Sequence, residues 1–431
     1  MPAPEIERFL HGLNPAVIHP GLDRIRTLLE ALGNPEAGLK AVLIAGTNGK
    51  GSVAACLSSI LTAAGAHVAT YTSPHLRRLS ERIKFKGEEI SRQELERHFM
   101  RVKSVMASQG EVTYFEFVTA LALDYFAQVK PDWAVLEIGL GGRWDAVNAV
   151  EPHLCVITPI GIDHTQYLGA TISAVAKEKA AIIRSRRPVV CGRQSQGALR
   201  VIETTCRENK APLLVLGRAF RVREGRGSDE GQTLTYSDAA LTLNDVSLPL
   251  VGAHQADNAA LAIRAYRQLC DEGGLAWSEK AVRSGLAEVA LEGRLQVLSR
   301  DPLVVVDGAH NELSFRTLAE AVRSLWPKRP LTLVFGVLED KDYRNMAQAM
   351  FPLASQVVLV PVASFPERSA DPRTVAARTV GYARELLVAP DLPTALKTAL
   401  DEMPEGGLCL IAGSLYLAGE ALECFEENVK G

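Results

Sequence analysis

The run Gly46-Thr47-Asn48-Gly49-Lys50-Gly51-Ser52 has the residue types to handle phosphate. Its glycines let backbone N–H groups turn inward onto phosphate oxygens. An apolar run, AVLIA at 41–45, precedes it and a helical pattern at 51–64 follows. The loop therefore opens a helix N-terminus, whose partial positive charge favours an anion. Lys50 has the reach for β- and γ-phosphates, and a hydroxyl nearby can approach Mg²⁺. A Gly-rich strand–helix turn without a ligand is the competing reading, and a lysine between two glycines weighs against it. The spacing departs from G-x-x-x-x-G-K-[ST], because Gly46 stands only three residues before Gly49 and Gly51 takes the place of the hydroxyl residue. This is a variant nucleotide loop, and a metal role for Ser52 stays open.

Other residues carry chemistry with a plain alternative beside it. Glu137 ends the apolar run WAVLEI just before Gly139. A carboxylate there either points into the crevice at the carboxyl edge of a sheet or is an ordinary loop acid. His164 sits in a loop beside Asp163, which could orient its ring. Lys179 lies in a helical stretch at 174–183, where a solvated lysine is the default. Lys177 is two residues away, and residues so spaced do not share a helix face, so only one points inward. Asn258 opens another helical stretch, as a cap or as a ligand contact. Asp307 follows the strand LVVV, with His310 close behind, and Arg294 lies at a boundary between two patterns. The charged run at 339–342 faces a cleft or is a solvated loop.

The elements that must hold these residues alternate between strand and helix. Strands are predicted at 41–45, 67–71, 133–138 and 154–158, with helices at 51–64, 91–106 and 115–129. Ser91 with Glu94 has the spacing of a capping box. Such alternation implies a doubly wound, mainly parallel sheet in a P-loop α/β domain. The stretch 221–250 is polar and alternating, which predicts an added β-rich section. A second pattern starts near residue 300, with strands at 303–306, 331–335, 356–360 and 408–412. It predicts a smaller Rossmann-like C-terminal α/β domain. The division expected is 1–297 and 298–431, with a cleft between the domains as a ligand site.

Composition narrows the function classes. The 431 residues are 47% hydrophobic and 23% charged, with 47 basic and 50 acidic side chains for a net charge of −3. A nearly neutral chain lacks the electrostatic footprint of a nucleic-acid binder. No signal-peptide pattern and no apolar run of about 18 residues is seen, so no membrane partner is expected. The 7 cysteines are scattered without a C-x-x-C pair, which fits a reducing cytoplasm rather than disulfides or zinc.

The motifs, taken together, resemble the folylpolyglutamate synthase/dihydrofolate synthase family, the folate branch of the ATP-dependent Mur ligases. GTNGKGS and TSPHL at 72–76 are followed in order by ERI, TYFEF, LEIGLGGRWDAVN, DHTQYLG, KEKAAI, HQADNAALA, GRLQ, DGAHN and GSLYLAGE. Each motif is weak alone, and their ordered series spans nearly the whole chain. The resemblance implies an amide ligase that phosphorylates a carboxylate with ATP and lets an amine displace the phosphate. It implies Lys50, Glu137, His164 and Lys179 as catalytic, and Ser73, Glu137 and His164 as Mg²⁺ ligands. Lys179 matches a position that the family often carries carbamylated. ATP contacts are implied for Thr47, Asn48, Gly49, Lys50, Gly51, Ser52, Asn258, Arg294, Asp307 and His310, with domain closure completing the site. The acceptor side matches Val17, Ile18, His19 and Pro20, Arg82, Thr113, Tyr114 and Phe115, and Trp144, Asp145 and Ala146. Phe115 would stack on a pterin and Asp145 would accept its N–H groups. The substrates implied are dihydropteroate, reduced folates and L-glutamate, handled by a monomer. A folylpolyglutamate synthase alone is the alternative. A peptidoglycan Mur ligase has little room for its extra N-terminal domain, and a non-catalytic nucleotide-binding regulator would not need Ser73, Glu137, His164 and DGAHN together.

Overall fold

The computed structural model describes residues 3–13 and 20–430. Its first sheet has eight strands: β1 (Ala41–Ala45), β2 (Val68–Tyr71), β3 (Ile83–Phe85), β4 (Glu88–Glu89), β5 (Trp133–Glu137), β6 (Pro152–Ile157), β7 (Val189–Cys191) and β8 (Leu213–Val215). They lie in the order β4-β3-β2-β5-β1-β6-β7-β8. The pairings from β2 to β8 are parallel, and β3 and β4 add an antiparallel edge. Every residue of β1, β2 and β5 is buried, as expected for parallel strands covered on both faces. The register sets Ile44 of β1 against Glu137 of β5.

Helix starts explain how loops meet this sheet. The helix Lys50–Ala63 begins inside the glycine loop. Ser91 caps the helix Arg92–Gln109 by accepting from the Glu94 amide. The return half of the expected box is replaced, because the Glu94 carboxylate accepts from Arg97 and Gln128 instead. A reciprocal box forms at Thr113, which accepts from the Glu116 amide at 3.2 Å while Glu116 accepts from the Thr113 amide at 2.7 Å. It starts the largely buried helix Tyr114–Val129.

The expected β-rich section is a sheet of β9 (Phe220–Ser228), β10 (Gly231–Asp238) and β11 (Thr242–Leu248), in the order β11-β10-β9. The last sheet holds β12 (Gln296–Arg300), β13 (Leu303–Val306), β14 (Leu331–Phe335), β15 (Ala354–Leu359), β16 (Leu386–Val388) and β17 (Leu408–Ala412). Its order is β12-β13-β17-β14-β15-β16, parallel except for β12.

Two compact units result. One comprises Met1–Arg223, Leu234–Leu248 and Gln255–Val289, and the other Glu224–Thr233, Pro249–His254 and Ala290–Gly431. The core of the second unit includes Phe315, Phe335 and Phe351, packed edge to face. All seven cysteines are free thiols, and among the described residues no helix is long and apolar enough to cross a membrane.

Candidate active site

The glycine loop is fastened from behind. A Cβ at Gly46, whose φ is +147°, would lie 1.8 Å from Thr158 Oγ1, so the close approach to β6 demands glycine. The Thr47 and Asn48 amides donate to the Pro159 carbonyl at 3.0 and 3.4 Å. Thr47 Oγ1 also bonds both the amide and the carbonyl of Gly161. Gly49 has φ +87°, and a Cβ there would lie 2.5 Å from Asn258 Oδ1. Asn258 sits within the helix Ala253–Asp271, buried against the loop and bonded to Gln255, so it does not cap that helix. The first turn of Lys50–Ala63, with buried Ser52, offers backbone N–H groups that have no intrahelical acceptor.

Lys50 Nζ donates to the Thr47 carbonyl at 3.1 Å and lies 3.8 Å from Glu137 Oε1. Glu137 is the last residue of β5 and is 4% exposed, which excludes an ordinary loop acid. Its other oxygen accepts from the Ser73 backbone amide at 3.2 Å. His164 has a left-handed backbone, φ 50°, just before the short helix Thr165–Leu168. Asp163 Oδ1 accepts from the His164 amide at 2.8 Å and lies 3.8 Å from His164 Nε2. Among the described residues no group of three His, Cys, Asp or Glu side chains could hold a metal. The donor chemistry around Glu137 nevertheless fits Mg²⁺, which takes one or two carboxylates and fills its octahedron with phosphate and water.

Lys179 is the inward lysine of the helix Ile172–Ala180, while Lys177 is exposed. Its Nζ donates to the Gly46 carbonyl at 2.7 Å. Burial, followed by the charge of Lys50, brings its ammonium down to about 7. The same helix holds the 139–146 loop, since the Arg143 amide donates to the Glu178 carbonyl at 3.0 Å and a Cβ at Gly142 would strike that oxygen.

On the acceptor side, Phe115 packs on Gly139, where a Cβ would lie 2.5 Å from Phe115 Cζ, and its ring centroid is 6.1 Å from that of Tyr71. Asp145 is buried and caps the turn Ala146–Ala149. Its oxygens accept from the Leu140 amide at 2.8 Å and the Val147 amide at 3.0 Å. Burial pushes its carboxyl up to about 7, against the pull of these backbone donors. Thr113 and Ala146 are buried, Trp144 is 51% exposed, and Pro20 is exposed. Val17, Ile18 and His19 lie outside the described residues. Arg82 is buried, donates from Nε to His75 Nδ1 at 2.9 Å, and lies over the Tyr114 ring at 5.4 Å. Burial, then the Arg82 charge, pushes His75 down to about 3.

In the second unit, Asp307 follows β13 and accepts from the Leu295 and Ala309 amides at 2.9 and 2.8 Å. Burial raises its carboxyl while Arg294 opposes the shift. A Cβ at Gly308 would come within 3.0 Å of Arg294 Nη1, and His310 Nδ1 is 2.9 Å from the Gly308 carbonyl. Arg294, Asp307 and the turn after β13 are thus neighbours.

The Mur ligase middle domain matches residues 44–266, and the Mur ligase glutamate ligase domain matches 293–415. The folylpolyglutamate synthase of Lacticaseibacillus casei is 36% identical over 403 residues, 92% of each chain. The dihydrofolate synthase/folylpolyglutamate synthase of Bacillus subtilis is 35% identical, over 96% of each. The chain belongs to the folylpolyglutamate synthase/dihydrofolate synthase family. The solved Mycobacterium tuberculosis folylpolyglutamate synthase complexed with ADP and AMPPCP superposes with a TM-score of 0.90 at 32% identity, over 98% of this chain and 97% of that one. This family member is an ATP-dependent ligase. One candidate residue that the family motifs did not single out is His75. It stands inside TSPHL, two residues after Ser73, and its partner Arg82 was the available signal.

Proposed function

We propose that this ligase adds L-glutamate to dihydropteroate and extends reduced folates by further γ-linked glutamates. The observation that carries the reading is Glu137, held at a strand end between Lys50 and the Ser73 amide, beside the phosphate loop. The acceptor carboxylate attacks the γ-phosphorus of ATP, the bond to the bridging oxygen breaks, and ADP leaves. The glutamate amine then attacks the acyl phosphate carbon, loses its proton and expels phosphate. Lys50 offsets the charge gathering on the transferred phosphoryl group. Ser73, Glu137 and His164 are assigned to Mg²⁺, which when bound would neutralise phosphate oxygens. Lys179, whose amine is brought to about 7 by burial, has the neutral fraction that carbamylation needs. Thr47–Ser52 and Asn258, with Arg294, Asp307 and His310, are assigned to ATP. Tyr114, Phe115, Trp144 and Arg82 are assigned to the acceptor. Free thiols suit work in a reducing cytoplasm, and a monomer is the expected state.

A folylpolyglutamate synthase acting on reduced folates alone is the second reading. It is favoured by Asp145, whose oxygens already accept from Leu140 and Val147. Phosphate release with ATP, Mg²⁺ and L-glutamate, with dihydropteroate, tetrahydrofolate or no acceptor, separates the two. Glutamylated products from both pterins support the bifunctional enzyme. Product from tetrahydrofolate alone selects the second reading, and product from neither removes both.

A further inference from the structure

Arg82 is a buried cation without an acid to match it. The residue is 6% exposed, and among the described residues no carboxylate lies within ion-pair distance of its guanidinium. Buried charges are ordinarily paired, because desolvation without compensation is costly. Here the partners are an imidazole and an aromatic face. Arg82 Nε donates to His75 Nδ1 at 2.9 Å, and the guanidinium carbon is 5.4 Å from the Tyr114 ring centroid. An arginine N–H can only donate, so His75 Nδ1 must offer its lone pair and the ring proton resides on Nε2. The backbone joins this pair to the reaction centre. The Arg82 carbonyl accepts from the Thr72 amide at 3.0 Å, and the next amide, of Ser73, donates to Glu137 at 3.2 Å.

A carboxylate in place of His75 would aim the guanidinium equally well, but it would cancel the charge. A neutral imidazole aims it and leaves the charge available. We propose that His75 is a positioning residue that presents Arg82, uncancelled, to the carboxylate of the acceptor and to the acyl phosphate formed from it. This rests on the reading of the acceptor side as a carboxylate site.

The test compares His75→Asn, which keeps an acceptor near the Nδ1 position, with His75→Asp and His75→Phe. The KM for the folate acceptor is expected to rise about tenfold or more in H75D and H75F, and to stay near wild type in H75N. The KM for ATP should not move in any of them. An H75D enzyme equal to H75N overturns the proposal, as does a parallel rise in every KM. If H75F does not fold, the H75N and H75D pair still decides. A readout free of turnover is the ¹⁵N spectrum of His75 in the wild-type chain. An unprotonated Nδ1 with a protonated Nε2 supports the pairing, and a protonated Nδ1 overturns it even in an active enzyme. Wild-type protein inactive on every folate, with the ¹⁵N pattern intact, would instead sink the acceptor assignment and with it the role given to Arg82.

Discussion

Lys179 Nζ donates to the Gly46 carbonyl at 2.7 Å, tying the helix Ile172–Ala180 to the first residue of the phosphate loop across 133 positions of sequence. The loop therefore has a buried amine at its back and Lys50 at its front.

That amine makes a sign-defined prediction. Its folded value of about 7 lies below the ordinary 10.5, so the neutral form grows as pH rises through about 7. Carbamylation requires the neutral form. Removal of bicarbonate should reduce activity at pH 8 and add little to an already low rate at pH 6. A ¹³C carbamate signal from labelled bicarbonate should appear in wild type and vanish in Lys179→Arg. Signals equal in both would refute the assignment.

Lys50 is predicted to act on the transferred phosphoryl group rather than on the fold. Lys50→Ala should lower kcat by about 100-fold or more, with an unchanged melting temperature. Single-turnover formation of ADP measures it.

Gly139→Ala tests the acceptor side separately. The new Cβ would lie 2.5 Å from Phe115 Cζ, so the ring must shift. The expected cost is about 1–3 kcal/mol of stability. The acceptor KM should rise while the ATP KM holds, and urea melts with steady-state kinetics check both.

Asp145 gives a pH-dependent stability. Its carboxyl is raised from 3.8 to about 7 by burial, so the folded chain binds a proton that the unfolded chain has released. Its contribution is present in full below pH 3.8 and is lost as pH rises through about 7. Asp145→Asn does not titrate, so the stability of wild type relative to this variant should fall between pH 4 and pH 7. Parallel denaturation curves across that range would exclude the shift.

Much of this was legible in the chain because the parallel strands are short, unbroken apolar runs. LVVV and LTLVF became β13 and β14 with the bounds expected. Pairwise side-chain geometry was not legible. Periodicity required only that one of Lys177 and Lys179 turn inward, and the family motif singled out Lys179. Asn258 looked like a helix opening, yet its helix starts five residues earlier, at Ala253, and the amide packs against Gly49. Ser73 is implied as a metal ligand, a role that would use its hydroxyl, whereas in the fold its backbone amide donates to Glu137. The family resemblance implies Asp145 as a pterin acceptor, but the same carboxylate is also what a tight turn needs to hold its own amides. Local sequence carries no sign of which partner a buried acid finds.

The order of the first sheet has a metric consequence. Ser73, Gly46 and Pro159 follow β2, β1 and β6, and Glu137 ends β5; the four strands are adjacent in the order β2-β5-β1-β6. Neighbouring strands are spaced at roughly 4.8 Å, so four chain segments distant in sequence are ranged across three equal intervals, roughly 14 Å in all. The sheet works as a ruler. The distance from one reactant's station to the next is set by backbone hydrogen bonding, and loop sequences can change what stands at each mark without changing the scale.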